Sequence, residues 1–189
     1  MSRLDQHGRM QQAIVLIRRG LRTSIVSRIS GVGPALLREL HHEIHGCSPA
    51  AGLLPTTSGL LRSSRIQASA SVLMAIYRAF GGDGINHRVD VNALLRAHAL
   101  YVTQILSAAP SGELGVPLDL TQAWAIARDL TTGLTTLRFC ERCAVHYLVA
   151  DFSRTALDCP ICVVKGGRRS RNIATMNGPP PTGGMERSP

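Results

Sequence analysis

The chain has 189 residues, 44% of them hydrophobic, which suffices for one domain of ordinary size with a small appendage. Aromatic residues make up only 4%, so the core must consist mostly of Leu, Ile, Val and Ala, a mixture suited to packed helices. No apolar run approaches the ~18 residues of a membrane-spanning helix, which excludes a membrane-spanning protein. Basic residues outnumber acidic ones by 21 to 12, which favours a polyanionic partner.

The positive charge is concentrated at the two ends of the chain. Residues 1–45 carry seven arginines and three acidic residues, and residues 160–189 carry five basic residues and one acidic residue. Twenty of the 21 basic residues are arginine, which is also consistent with a bias in genomic base composition. The clustering, rather than the number, therefore indicates contact with nucleic-acid phosphates.

The N-terminal part predicts a helix-turn-helix-like arrangement. Residues 11–22 form a predicted amphipathic helix with a basic side. Residues 23–46 then predict a second helix, a turn at Gly31 and a third helix, with Pro34 early in the third helix, where its missing N–H is tolerated. The apolar or small positions that the motif needs are Val26, Ser27, Val32, Leu37 and Leu40. A plain helical hairpin explains the same pattern and stays open as the alternative.

Residues 41–45 read H-H-E-I-H, one residue short of the H-E-x-x-H motif of metalloproteases. His41 and His45 have i, i+4 spacing, but a solvated helix face is the preferred interpretation because few histidine pairs bind metal without further ligands. Residues 46–63, rich in Gly, Pro, Ser and Thr, predict a connecting loop. Cys47 in this loop has no neighbouring group that would activate it as a nucleophile.

Three further helices are predicted as a scaffold, over residues 66–80, 91–106 and 120–130. Asp119 and Gln122 indicate a capping-box-like start for the last of these. The sequence contains neither a nucleotide-binding glycine loop nor a Ser/His/Asp nucleophile arrangement. We therefore expect no enzymatic activity.

Cys140, Cys143, Cys159 and Cys162 have the spacing C-x2-C-x15-C-x2-C, which is typical of a four-thiolate metal site. Each C-x2-C pair can direct two sulfurs at one point, and two pairs complete a tetrahedron without an open position for water. This predicts one structural Zn²⁺ per chain rather than a hydrolytic centre. A mononuclear iron site is the main alternative.

Other interpretations of the cysteines are less favoured. Disulfides need an oxidising compartment, whereas the first residues carry charges and no apolar stretch, which predicts a reducing cytoplasm. Redox C-x-x-C motifs normally occur singly, and here two are matched. His146 is a possible substitute ligand, but four thiolates already satisfy the metal.

These patterns divide the chain into three predicted parts. Residues 1–136 form a helical domain for DNA or partner binding, residues 137–165 a small zinc-binding module, and residues 166–189 a basic, Pro/Gly-rich disordered tail. The predicted fold class is therefore mainly α, a multi-helix domain with a helix-turn-helix-like N-terminal part and a small C-terminal zinc module built on four cysteines.

Several stretches between residues 10 and 165 resemble, in order, the FlhC family of flagellar transcriptional activators. They are LIRRG at 16–20, the Gly31 turn with LREL at 37–40, GCSP at 46–49, GLLP at 52–55, LTQAW at 120–124 leading into GL at 133–134, and the cysteine quartet. Length, helical content and the basic tail also fit this family.

The resemblance implies a cytoplasmic α-helical protein with a zinc-binding C-terminal part. It also implies assembly with the companion protein FlhD into a heterohexamer that binds promoter DNA, works with RNA polymerase and switches on flagellar operons. The family's zinc ligands fall on the four cysteines. The alternative is a zinc-stabilised adaptor whose partner supplies all DNA contacts.

Five arginines are the candidate DNA contacts. Arg38, on the outward side of the third helix, is the candidate for reading a base edge. Arg28 and the tail residues Arg168, Arg169 and Arg171 are the candidates for phosphate contacts.

Overall fold

The computed structural model describes residues 2–108, 117–151 and 158–166. Within these ranges the chain is mainly helical, as predicted, with one two-stranded antiparallel sheet. The elements are α1 Arg3–Arg18, α2 Thr23–Ser30, α3 Pro34–His45, the single turn α4 Thr57–Leu60, α5 Ser64–Gly81, a 3-10 turn Gly82–Asn86, α6 Val91–Ala108, α7 Leu120–Thr131, β1 Thr135–Cys140, β2 Val145–Ala150 and α8 Pro160–Gly166. The basic tail predicted to be disordered lies outside the described residues.

The first helix begins and ends earlier than its hydrophobic pattern predicted. Ser2 caps it by accepting a hydrogen bond from the Leu4 amide at 3.2 Å, and the Asp5 carboxylate accepts one from the Ser2 amide at 3.3 Å. This capping box starts the helix at Arg3 rather than at residue 11. Gly20 follows with a φ of 80°, a left-handed conformation that ends the helix before residue 22.

The two helices predicted over residues 23–46 form α2 and α3, joined by a tight turn at Gly31. Gly31 has a φ of 69°, where a side chain would be strained. The Ser27 hydroxyl donates to the Val32 carbonyl at 2.9 Å across this turn, and Pro34 is the first residue of α3. Leu37 points into the core. Helix-turn-helix and helical-hairpin proteins share this local arrangement.

The helices enclose one main core of aliphatic side chains with two buried tyrosines and a buried tryptophan. Tyr77 and Tyr101 are fully buried, and each hydroxyl has hydrogen-bond partners. The Tyr77 hydroxyl accepts from the Asp90 amide at 2.9 Å, and that of Tyr101 pairs with the Ser69 hydroxyl at 2.6 Å. Two of the few aromatic residues thus position the start of α6 and join α5 to α6. No described helix is long and apolar enough to cross a membrane.

The β1–β2 hairpin is attached to α5 by buried polar contacts. Leu148 in β2 accepts a hydrogen bond from the Gln67 side-chain amide at 2.9 Å and donates its N–H to the Ser71 hydroxyl at 2.9 Å. The Ser71 hydroxyl in turn donates to the Gln67 carbonyl at 2.6 Å. Two helix side chains therefore satisfy both backbone groups of Leu148, which would otherwise be left unpaired in a buried position.

A buried carboxylate holds the segment before α5 against α7. Asp129 is 3% exposed and accepts hydrogen bonds from the Thr57 amide at 3.2 Å and the Thr57 hydroxyl at 2.7 Å. The Arg128 guanidinium, 2.6 Å away, balances its charge. The connection predicted as a loop over residues 46–63 thus contains one ordered helical turn, α4, fixed from across the core.

Replacing Asp129 is expected to destabilise the fold strongly. Asp129→Ala leaves the polar groups of Thr57 unpaired in a buried site, and we expect a loss of about 3 kcal/mol in the free energy of unfolding. Asp83→Ala is the matched control, because Asp83 pairs with Arg78 at the exposed surface and should change stability by less than about 1 kcal/mol. Urea denaturation of both variants tests this. Equal effects of the two substitutions contradict the structural role of Asp129.

Candidate metal centre

The first two cysteines lie at the tip of the hairpin. β1 ends at Cys140, and the chain turns back so that Cys140 pairs with Val145 in the register of the sheet. The Ala144 amide donates to the Cys140 carbonyl at 2.8 Å. Ala144 has a φ of 54°, a conformation rare for residues other than glycine, asparagine and aspartate. The tight turn allows the sulfurs of Cys140 and Cys143 to face the same side.

The other two cysteines flank the start of α8. Cys159 precedes Pro160, the first helical residue, and the Val163 amide donates to the Cys159 carbonyl at 3.0 Å. Cys162 follows three residues after Cys159, one helical turn along the same face. Because helical geometry sets this spacing, the second C-x2-C pair also directs its sulfurs to one point.

The two pairs meet in one cluster. The four Sγ atoms lie within 4.8 Å of one another, with Cys140 and Cys162 3.8 Å apart and Cys143 and Cys159 3.6 Å apart. A tetrahedron with metal–sulfur bonds of about 2.3 Å has sulfurs about 3.8 Å apart. The cluster is therefore positioned to bind a metal ion, as the spacing predicted.

Three of the four cysteine thiols have shifted pKa values. The N–H of Cys143 donates to the Cys140 sulfur, and this contact is the main cause that lowers the Cys140 pKa to about 7. Burial is the main cause that raises the pKa of Cys143 and raises that of Cys162 to about 12, and hydrogen bonds with the thiols of Cys140 and Cys159 add to both increases. The thiolate form is therefore favoured at Cys140, and metal binding would release the protons of Cys143 and Cys162.

The surroundings of the cluster suit a thiophilic metal. Apolar side chains pack around the sulfurs, namely Tyr147, Val149 and Ile161. No His, Asp or Glu belongs to the cluster within the described part of the chain. Four sulfurs in such an environment select zinc or iron over hard cations such as Mg²⁺ and Ca²⁺.

His146, the possible substitute ligand, contacts an aromatic ring instead. Its ring centroid lies 5.2 Å from that of Phe139, its partner across the hairpin. It does not join the sulfur cluster. All four ligand positions are thus left to the cysteines.

Two of the five candidate DNA contacts lie within the described residues, on different helices. Arg28 is exposed on α2 and Arg38 on α3, whereas Arg168, Arg169 and Arg171 lie outside the described residues. Helix α3 also exposes two acidic side chains, Glu39 and Glu43, beside Arg38. Its own surface is therefore not strongly basic.

Sequence reasoning missed the two residues that attach the hairpin, Gln67 and Ser71. Their partner, Leu148, lies 81 and 77 residues further along the chain. One local signal in the sequence could have identified these two residues. Both residues lie on the face of α5 that also carries Ala70 and Met74 into the core, and a polar residue on a buried face needs a partner.

The sequence matches one known family over most of its length. A family model described as "Flagellar transcriptional activator (FlhC)" matches residues 2–174. The flagellar transcriptional regulator FlhC of Gallionella capsiferriformans is 31% identical over 149 residues, with 77% of each chain covered. The FlhC of Cupriavidus necator is 28% identical, covering 86% of this chain and 77% of the relative, and that of Thauera aminoaromatica is 25% identical, covering 77% and 71%. The chain thus belongs to the FlhC family of flagellar transcriptional regulators.

Proposed function

We propose that this chain is the DNA-binding subunit of a bacterial transcriptional activator that acts with FlhD on flagellar promoters and carries one structural Zn²⁺. It works in the cytoplasm, where promoter DNA and RNA polymerase are present. The observation that carries the proposal is the closed cluster of four thiols in a chain of the FlhC family. Transcriptional regulators are not enzymes, and the proposal assigns no catalytic step to any residue.

The closed ligand set supports a structural rather than a catalytic metal. Catalytic zinc keeps one position for water or substrate, and four thiolates fill a tetrahedron. The cluster joins the tip of the hairpin to α8, two segments separated by residues outside the described part. A bound Zn²⁺ would hold these segments together from inside, as in other small zinc modules.

The first test concerns the metal. Structural zinc contributes roughly 10–16 kcal/mol of apparent binding energy to folding, so losing one thiolate should unfold the C-terminal region. We expect Cys140→Ser and Cys159→Ser to abolish the single zinc equivalent and to lower solubility. Cys47→Ser is the matched control, because Cys47 is exposed in the loop after α3 and lies outside the cluster.

Elemental analysis of freshly purified proteins measures this directly. The expected ratio is one Zn per chain in the wild type and in Cys47→Ser. Iron in place of zinc would identify the alternative metal. Wild-type protein without any bound metal would rule out the proposed centre.

Exposed apolar side chains support a protein partner. Leu4 is 82% exposed and Leu53 95% exposed, and several further apolar residues are partly uncovered. They include Val15, Leu36, Phe80, Leu100, Leu134, Phe139, Val163 and Val164. We propose that FlhD covers part of these side chains, since apolar residues that adjoin one another on a surface mark protein interaction sites.

Co-expression tests the partner. We expect the chain expressed alone to aggregate and the chain expressed with FlhD to elute as one complex, because FlhD covers the apolar surface. Size-exclusion chromatography with light scattering gives the mass of each species. A monodisperse monomer that does not retain FlhD in a pull-down contradicts this assignment.

The proposed DNA contacts fall into two kinds. Arg38 on α3 would read a base edge, and a bidentate contact of this kind discriminates by about 1–3 kcal/mol. Arg28 and the tail arginines, Arg168, Arg169 and Arg171, would contact phosphates without regard to sequence. The adaptor alternative is favoured by Glu39 and Glu43, since two carboxylates on the exposed side of α3 repel phosphates.

Arginine variants within the FlhD complex separate these possibilities. Arg38→Ala should weaken the binding of promoter DNA more than that of random DNA. Neutralising Arg168, Arg169 and Arg171 should weaken the binding of both DNAs equally. Each lost phosphate contact should make the slope of log K against the logarithm of the salt concentration shallower by about 0.9. Arg88→Ala, which removes an exposed arginine beyond the 3-10 turn, controls for the loss of one positive charge.

Fluorescence anisotropy at several salt concentrations gives both affinities. If Arg38→Ala leaves the ratio of specific to random affinity unchanged, α2 and α3 form a helical hairpin without a reading role. Promoter recognition would then belong to another surface of the complex.

A further inference from the structure

The last turns of α3 bring two imidazole rings together. His41 and His45 are one helical turn apart, and their ring centroids lie 4.7 Å apart with the planes tilted by 48°. His45 is exposed and His41 is half-buried. Both rings can therefore be reached by a small ion from solvent.

Each ring uses one nitrogen on a backbone carbonyl. Nδ1 of His41 lies 3.0 Å from the Cys47 oxygen, and Nε2 of His45 lies 2.9 Å from the Ile17 oxygen. A carbonyl oxygen only accepts, so both of these nitrogens carry a hydrogen and donate it. In the neutral rings, Nε2 of His41 and Nδ1 of His45 are then left with lone pairs.

Carbonyl contacts of this kind also occur around histidines that bind metals. A metal-binding imidazole usually donates its other N–H to a carbonyl or a carboxylate, which fixes the ring and makes the free nitrogen more basic. Spacing of i, i+4 places both rings on the same helix face. Imidazole nitrogen suits the divalent ions Zn²⁺, Cu²⁺ and Ni²⁺.

We propose that His41 and His45 form a second metal site, for a divalent transition-metal ion. No third Cys, His, Asp or Glu of the described residues completes a cluster with them, so water fills the remaining positions. Two protein ligands bind more weakly than four thiolates, and the ion should exchange with solvent. The two carbonyl contacts already link α3 to the end of α1 and to the loop at Cys47, and an ion at this pair would hold both rings in these positions.

Nickel titration of the full-length chain, already loaded with one equivalent of Zn²⁺, tests the site. We expect calorimetry to detect one further Ni²⁺ per chain and the paramagnetic ion to broaden the ring ¹⁵N signals of His41 and His45. His41→Gln and His45→Gln should each abolish this equivalent. Glutamine keeps a side-chain N–H for the same carbonyl, so the fold should persist, which circular dichroism checks.

His42→Gln is the matched control, because His42 is exposed on the same helix but outside the pair, and it should bind Ni²⁺ as the wild type does. The absence of a further equivalent in the wild type overturns the proposal. So does a further equivalent that survives His41→Gln and His45→Gln, or one that His42→Gln also removes. Thiolate-to-nickel absorption during the titration would place the ion at the cysteines and would equally overturn it.

Discussion

The attachment of one strand to one helix positions the four-cysteine cluster. Leu148 in β2 directs its N–H and its carbonyl to Ser71 and Gln67 of α5 at 2.9 Å each, in a buried environment. Helix α5 also packs against α8, so the two segments that carry the cysteine pairs rest on the same helix. These hydrogen bonds and the packing of α8 place both C-x2-C pairs against one helix.

The same contacts join the cysteine-bearing segments to the main helical core. Leu148 and Ala150 of the hairpin belong to that core together with Leu73 and Ile126. Each buried hydrogen bond contributes about 1 kcal/mol, far less than a structural zinc ion. Buried hydrogen bonds between α5 and β2 cross residue 136, the predicted boundary between the helical domain and the zinc module. That boundary remains a prediction from the sequence. Loss of metal from the cysteines should therefore also affect the packing of α5, because the hairpin and α8 both contact this helix.

Local patterns could predict the helices and the sulfur cluster, because both depend on short spacings. The i, i+3 and i, i+4 pattern located α6 and α7 closely, and C-x2-C spacing is a local property that turns and helices translate directly into geometry. The pattern missed the start of α1, where a capping box extended a weakly amphipathic segment. It also missed the hairpin and the roles of Gln67 and Ser71, since their partner is distant in sequence.

The most direct measurement is the binding of a flagellar promoter duplex to this chain alone, to FlhD alone and to the two together, each with and without prior removal of the metal. The account predicts that only the zinc-loaded pair binds the promoter in preference to random DNA. Removing the metal should abolish that preference, because a metal bound at the cysteines would hold the hairpin and α8 together on α5. Equal promoter affinity of FlhD alone, or full affinity of the metal-free pair, would contradict it.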